Sequence, residues 1–329
     1  MTHLKTVSYF CLSPSVQACK FTHLSQNFMY DNDSRGISYT GGFFMLIAFA
    51  IGGLMLASAA GALIWQQMTG KGFAELEKGL MDPANSGIMK LIQTITAIVG
   101  FFLPTLFAAT LLSRRPIKLI GFSSAGIKLN QVILAILLVG AALLVSSSLS
   151  YLTNNIPIPE SWKIRFDKME LEYNTQVSAI ITLKNAKDYV LALIIMAFLP
   201  ALCEETLFRG GLQNFLTRGT KRPWMSIIIV SILFSLAHFS FYGFLSRFFL
   251  GIVLGALYYY SGKLWLSIVA HFINNALAIT VLYISTQQGQ PLQEAIKQDA
   301  TSYWGMLAAP LVIVLFVAFR KASAKQSMA

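Results

Sequence analysis

V-L-A-L-I-I-M-A-F-L-P-A-L-C-E-E-T-L-F-R-G-G-L, residues 190–212, is apolar enough to enter a bilayer through Cys203 and then sets Glu204, Glu205 and Arg209 in or beside the hydrocarbon. An ionised carboxylate at the centre of a spanning helix costs about 2.5–3.5 kcal/mol on insertion scales. Two in succession are a large penalty unless a cation, histidines or trapped water offset it. Arg209 lies one helical turn beyond Glu205 and can face it. Glu204 points about 100° away around the same helix and is free to face something else. Two further apolar segments each carry a histidine: Phe234-x-x-x-His238 and His271-x-x-x-Asn275.

The surrounding chain is of the same character. Its 329 residues are 55% hydrophobic and 12% charged, with mean hydropathy +0.62. These values place it among polytopic membrane proteins. About eight apolar segments approach the ~20 residues that a spanning helix needs. They lie near 41–66, 90–112, 131–152, 187–208, 223–241, 244–261, 264–285 and 303–320. Barrel strands would be shorter and would alternate in polarity, so the expected fold is all-α, a polytopic membrane helical bundle.

A formal charge of +11 invites a nucleic-acid reading, but the placement of the charge opposes it. Arg114, Arg115 and Lys118, then Arg218, Lys221 and Arg222, then Arg320, Lys321 and Lys325 fall in loops on one side of an eight-span chain. The opposite loops, 67–89, 153–186 and 286–302, hold most of the acidic residues. Under the positive-inside rule both termini are cytoplasmic, in a multi-pass protein of a bacterial inner membrane. No nucleic-acid partner is expected.

Residues 1–40 differ from the rest and are read as a disordered cytoplasmic tail, with Met29 an alternative start. The membrane domain is expected over 41–322, with a short C-terminal tail at 323–329. His3 and His23 are too isolated to be metal ligands. Cys11, Cys19 and Cys203 suggest no disulfide framework, and Cys203 reads as a small buried thiol. Gly and Ala in the first span, and Gly251-x-x-x-Gly255 in the sixth, favour close helix packing. Pro104 should kink the second span, and Pro200, one turn before Glu204, should open the fourth. Residues 156–186 form the longest internal loop. Within it Trp162, Phe166, Met169 and Leu171 suit an amphipathic helix on the membrane surface, read as an anchor in preference to a lid.

The chemistry concentrates in three segments. Buried polar residues can hold helices together through interhelical hydrogen bonds, but two glutamates, an arginine, two histidines and an asparagine exceed what that task needs. Glu204, His238, His271 and Asn275 together can activate a water and stabilise an oxyanion, the roles that amide hydrolysis requires. Glu205 and Arg209 are spaced to pair, leaving Glu204 as the base.

Glu204-Glu205-x-x-x-Arg209, Phe234-x-x-x-His238 and His271-x-x-x-Asn275, in that order, resemble the motif set of the CPBP family, which contains type II CAAX prenyl endopeptidases and bacteriocin-processing proteins. The likeness is dense over 187–285, and L-F-R-G-G-L-Q and G-K-L-W-L-S-I-V-A-H also resemble family members. The resemblance implies an intramembrane endopeptidase, often described as a metalloprotease. It implies that Glu204 with His238 activates the attacking water, that His271 and Asn275 hold the oxyanion, and that Glu205, Arg209 and Phe234 support the site. Expected partners are the bilayer and a peptide or lipidated-protein substrate, such as a prenylated C-a-a-X peptide or a peptide precursor, reaching the site from the bilayer or the cytoplasmic face. A non-catalytic immunity or scaffold protein of the same fold is the alternative. No cofactor is required on the physical reading. Zn²⁺ held by Glu204, His238 and His271 is the competing arrangement, although no His-Glu-x-x-His pair is present.

Overall fold

A computed structural model describes residues 33–296 and 302–324, which form one compact unit. The readings made for residues 1–32, including the start at Met29, Cys11, Cys19, His3 and His23, lie outside the described residues. Asp33 to Ser38, the end of the stretch read as a tail, is tied to the loop after the second span. Arg35 N–H donates to the Leu112 carbonyl at 2.9 Å, Arg114 N–H donates to the Asp33 carbonyl at 2.7 Å, and the Arg115 guanidinium pairs with Asp33 at 3.5 Å.

The architecture is a polytopic helical bundle. Among the described residues, seven helices are long and apolar enough to cross a membrane: α1 (Tyr39–Thr69), α2 (Pro83–Leu112), α3 (Leu129–Asn154), α5 (Ala186–Thr220), α7 (Phe244–Ser261), α8 (Leu264–Gln287) and α9 (Trp304–Ala324). Two others complete the main elements, α4 (Glu160–Ile180) and the apolar α6 (Pro223–Leu236). Many large apolar side chains point outward, among them Ile51, Met55, Leu56, Leu144 and Ile313. That distribution suits a hydrocarbon solvent, in which backbone groups must be satisfied within each helix.

Caps and small residues explain the elements locally. Ser38 Oγ accepts from Gly41 N–H at the start of α1, and Gly70 ends that helix in the left-handed region at φ 68°. Gly53 of α1 meets Gly100 of α2 so closely that a Cβ on Gly53 would sit 2.3 Å from the Val99 carbonyl oxygen. Both prolines act before their own position. A π-helical turn spans Ile98–Phe102 ahead of Pro104, and another spans Leu193–Phe198 ahead of Pro200. A missing N–H breaks the regular ladder, and a wider turn absorbs the break. A third π turn, Thr206–Gln213, follows the glutamates directly.

The fifth predicted span is shorter than the sequence suggests. Helix α6 runs for 14 residues, about 21 Å at the α-helical rise, against a hydrocarbon core of about 30 Å. The chain turns at 237–243, with Phe239 at φ 50°. His238 therefore sits in a turn beyond the helix and not on a helical face with Phe234.

Helix α5 is central, packing against α1, α2, α6 and α8. On one side lies an apolar cluster that includes Leu46, Leu112, Phe208 and Phe234; on the other a cluster of α3, α7, α8 and α9 includes Leu138, Leu254, Ala270 and Phe319. The polar site lies between them. Helix α4 rests against the 237–243 turn: Phe166 stacks on Phe241 at 4.0 Å, Ser240 donates to Glu170 at 2.7 Å, and Tyr242 donates to Asp167. These contacts place α4 over the turn that carries His238, while Trp162 and Ile164 remain exposed.

Candidate active site

The two glutamates take different surroundings. Glu205 is completely buried, and its Oε1 accepts from Arg209 Nη1 and, at 2.8 Å, from His271 Nδ1. Arg209, also buried, uses Nη2 to donate to the Gly251 carbonyl at 3.2 Å. One turn on, Gln213 donates to the Gly255 carbonyl at 2.8 Å. The Gly251/Gly255 pair thus does more than permit close packing: its two carbonyls receive the polar side chains of α5. A Cβ at either glycine would intrude, at 2.9 Å from Ser231 Cβ for Gly251 and 2.6 Å from Gln213 Oε1 for Gly255.

Glu204 is 18% exposed, and its Oε2 lies 4.0 Å from His271 Nε2. His271 therefore bridges the carboxylates, with Nδ1 on Glu205 and Nε2 toward Glu204. His238 takes part from another direction. Its Nδ1 lies 2.8 Å from the Phe234 carbonyl. A carbonyl only accepts, so Nδ1 carries the proton and the Nε2 lone pair is left for a water or substrate. Glu204, Arg247 and His271 all act electrostatically on His238.

Phe234 organises the group. Its ring centroid is 5.0 Å from that of His238 and 5.8 Å from that of His271, and the Arg209 guanidinium lies over its face at 4.6 Å. An aromatic ring there excludes water from the Glu205–Arg209 pair and attracts the cation. Asn275 lies one turn beyond His271 on α8, and its Oδ1 accepts from Asn274 at 2.8 Å. That bond leaves the Asn275 Nδ2 group as the donor available to a ligand.

The structure thus brings Glu204, Glu205, Arg209, Phe234, His238 and His271 into one connected group, with Asn275 on the same helix as His271. Sequence reading missed Gln213, Asn274 and Arg247. Gln213 carried a signal in its i, i+4 spacing from Arg209, matching the Gly251–Gly255 spacing. Arg247 had none beyond being a charge at the start of an apolar segment.

His238 lines one cavity, and a second reaches Asn274 without touching Glu204, His238 or His271. The first, of about 450 Å³, is lined by His238, Phe239 and Tyr173. The second and larger, of about 1150 Å³, is lined by Asn274, Tyr242, Arg247, Tyr173 and the acidic Asp167 and Glu170 of α4. No three His, Cys, Asp or Glu side chains among the described residues are grouped to hold an ion, while the Nδ1 bonds of His271 and His238 leave both Nε2 atoms open, the arrangement that a ligating histidine also has. Cys203 is a buried free thiol.

Residues 186–277, which include every residue of this group, match the family model described as type II CAAX prenyl endopeptidase, Rce1-like. No curated protein and no solved structure matches the chain.

Proposed function

We propose, from the match of residues 186–277 to the Rce1-like type II CAAX prenyl endopeptidase model, that the chain is an intramembrane endopeptidase that hydrolyses a peptide bond with a water activated by Glu204. The observation that carries this reading is the unequal treatment of adjacent carboxylates: Glu205 is buried and bonded to Arg209 and His271, whereas Glu204 is partly exposed and holds no short bond. One structural anion beside one available base is how a pair of carboxylates divides its roles.

In this reading a water lies between Glu204 and His238 Nε2. Glu204 takes its proton as the oxygen attacks the scissile carbonyl carbon. Asn275 Nδ2 donates to the developing oxyanion. His271 adds to it in its imidazolium form, with Nδ1–H on Glu205 and Nε2–H turned to the reacting centre. The proton held by Glu204 then passes to the leaving amine, so that the water supplies the hydroxyl of the new carboxylate and one hydrogen of the new amine. His238, fixed by the Phe234 carbonyl, orients the water. No step is routed through a metal.

The substrate is a peptide segment at membrane depth, prenylated near its C-terminus or part of a peptide precursor. The larger cavity lies at the α4 end of the bundle, away from the basic loops that hold Lys118, Lys221 and Lys263. With those loops cytoplasmic, a peptide that enters through this cavity comes from the bilayer or from the face opposite to them.

The test is cleavage of prenylated C-a-a-X peptides and peptide precursors by purified protein in nanodiscs, beside Glu204→Ala and His238→Ala. Cleavage by wild type alone, with both variants folded and activity surviving chelator, is expected. Activity lost to chelator and restored by Zn²⁺ would overturn the metal-free mechanism. Cleavage that persists in Glu204→Ala would overturn the reading itself.

A further inference from the structure

The larger cavity holds a charge that the proposed chemistry does not use. Arg247 lies in the first turn of α7 and lines this cavity. Its Nη1 is buried without a hydrogen-bond partner among the described residues. The guanidinium packs against the Tyr173 ring at 5.0 Å, a contact that orients it without neutralising it. The two acidic residues of the same cavity are engaged elsewhere, Asp167 by Tyr242 and Glu170 by Ser240. No carboxylate among the described residues pairs with Arg247 within ion-pair distance. Its position at a helix N-terminus, where the helix dipole favours anions, adds to the mismatch.

A part-buried guanidinium with an unbonded Nη1 is suited to a counter-charge that arrives with a ligand. Its planar fork matches a carboxylate through two parallel N–H···O bonds. Gly243 makes room for it, since a Cβ there would sit 2.2 Å from Arg247 Nη1. Gly243 has an ordinary φ of −84°, so its lack of a side chain matters here for space and not for backbone freedom. Tyr173, against which Arg247 packs, lines both cavities, so the guanidinium stands one side chain away from the space that His238 faces.

We propose that Arg247 is the carboxylate-binding residue of the substrate cavity and takes a carboxylate of the peptide that lies across Glu204 and His238. The inference rests on the endopeptidase reading for the identity of the ligand and on the cavity for its charge. The carboxylate is either the peptide's C-terminus or an acidic side chain near the scissile bond. In both cases Arg247 selects which peptides are seated, and it takes no part in the proton transfers.

Equilibrium binding separates this from the chemistry. The protein is held in nanodiscs of uncharged lipid on a Glu204→Gln background. The probe is a fluorescent, S-prenylated apolar peptide in three forms: a free C-terminal acid, the amide, and the amide with one internal aspartate. At least one carboxylate form should bind about tenfold tighter than the plain amide, the scale of a charge-assisted pair. The form that does so identifies the source. Arg247→Gln should abolish the preference and Arg247→Lys should keep part of it. Gly243→Ala, which displaces the guanidinium without removing it, should weaken the preference. Equal binding of all three peptides by the Arg247-containing protein overturns the proposal without relying on any variant, as does a preference that survives Arg247→Gln. Because no turnover is needed, acid-selective binding in a protein whose Glu204-containing form cleaves nothing would sink the hydrolysis reading and leave the Arg247 site standing.

Discussion

On one side of α5, Glu205, Arg209, His271 and Phe234 form a closed set: each is buried, the carboxylate accepts from both Arg209 and His271, and the arginine continues to a backbone carbonyl of α7. On the other side, Glu204 and His238 are only part-buried and make few bonds, and His238 lines a cavity. The difference teaches how a membrane protein can hold an available carboxylate at depth. The first set neutralises the charge that must be buried and fixes His271 through Nδ1. That fixed histidine then presents Nε2 to Glu204. Rigidity is concentrated on the closed side so that the open side is positioned without being saturated.

If the closed side is structural, breaking it should damage the fold most. Arg209→Met leaves Glu205 without its cation, and loss of one partner of a buried pair costs about 3–5 kcal/mol. Unfolding in mild detergent should shift by that amount, and an unshifted transition would show that Glu205 does not depend on Arg209. On the open side the loss should be kinetic. His238→Gln is expected to lower kcat/KM about 10²-fold, the lower end for a positioned acid–base group, with the melting temperature unchanged. A fall in melting temperature of equal weight would place His238 with the structural set.

Packing that supports the closed side should give an intermediate effect. Gly211→Ala would bring a Cβ to 2.4 Å from Leu46 Cδ2 and 3.1 Å from Thr105 Cγ2. Overpacking of this kind costs about 1–3 kcal/mol, read as a lower melting temperature; no change would mean that α1 yields freely. The smallest effect belongs to α4. Tyr242→Phe removes one part-exposed hydrogen bond to Asp167 and should cost less than about 1 kcal/mol. It should also raise proteolysis within α4, and unaltered proteolysis would show that the Phe166–Phe241 stack and the Ser240–Glu170 bond hold the helix without it.

Much of this contrast was legible in the sequence. The i, i+4 spacing of Glu205 and Arg209 predicted their pairing, and the helical offset of Glu204 predicted that it would face elsewhere. Hydropathy gave the bundle, and the small residues of α1 and α7 gave the close crossings. The shortness of α6 was hidden because the segment stays mostly apolar past its end, with no proline, Asp, Glu, Lys or Arg between Trp224 and Ser246. Only Ser240 and Gly243 hinted at a turn, and neither fixes where one begins. The bond from His238 to the Phe234 carbonyl needs that turn, so spacing alone placed the histidine on the wrong kind of element. The partners of α4 were out of reach for a similar reason: Phe166 and Phe241 are far apart in sequence, and an amphipathic pattern does not say whether lipid or protein covers it. The cavity around Arg247 is assembled from α3, α4, α7 and α8, and no local pattern encodes such a convergence.

The most direct test places the same isosteric change at the two adjacent carboxylates and measures rate and stability together. Glu204→Gln should reduce peptide cleavage about 10²–10⁴-fold while leaving the unfolding transition in place. Glu205→Gln should lower the unfolding transition first, with cleavage lost in proportion to the folded fraction. If Glu205→Gln proves stable but inactive while Glu204→Gln still cleaves, the roles assigned to the two carboxylates are reversed and the account fails.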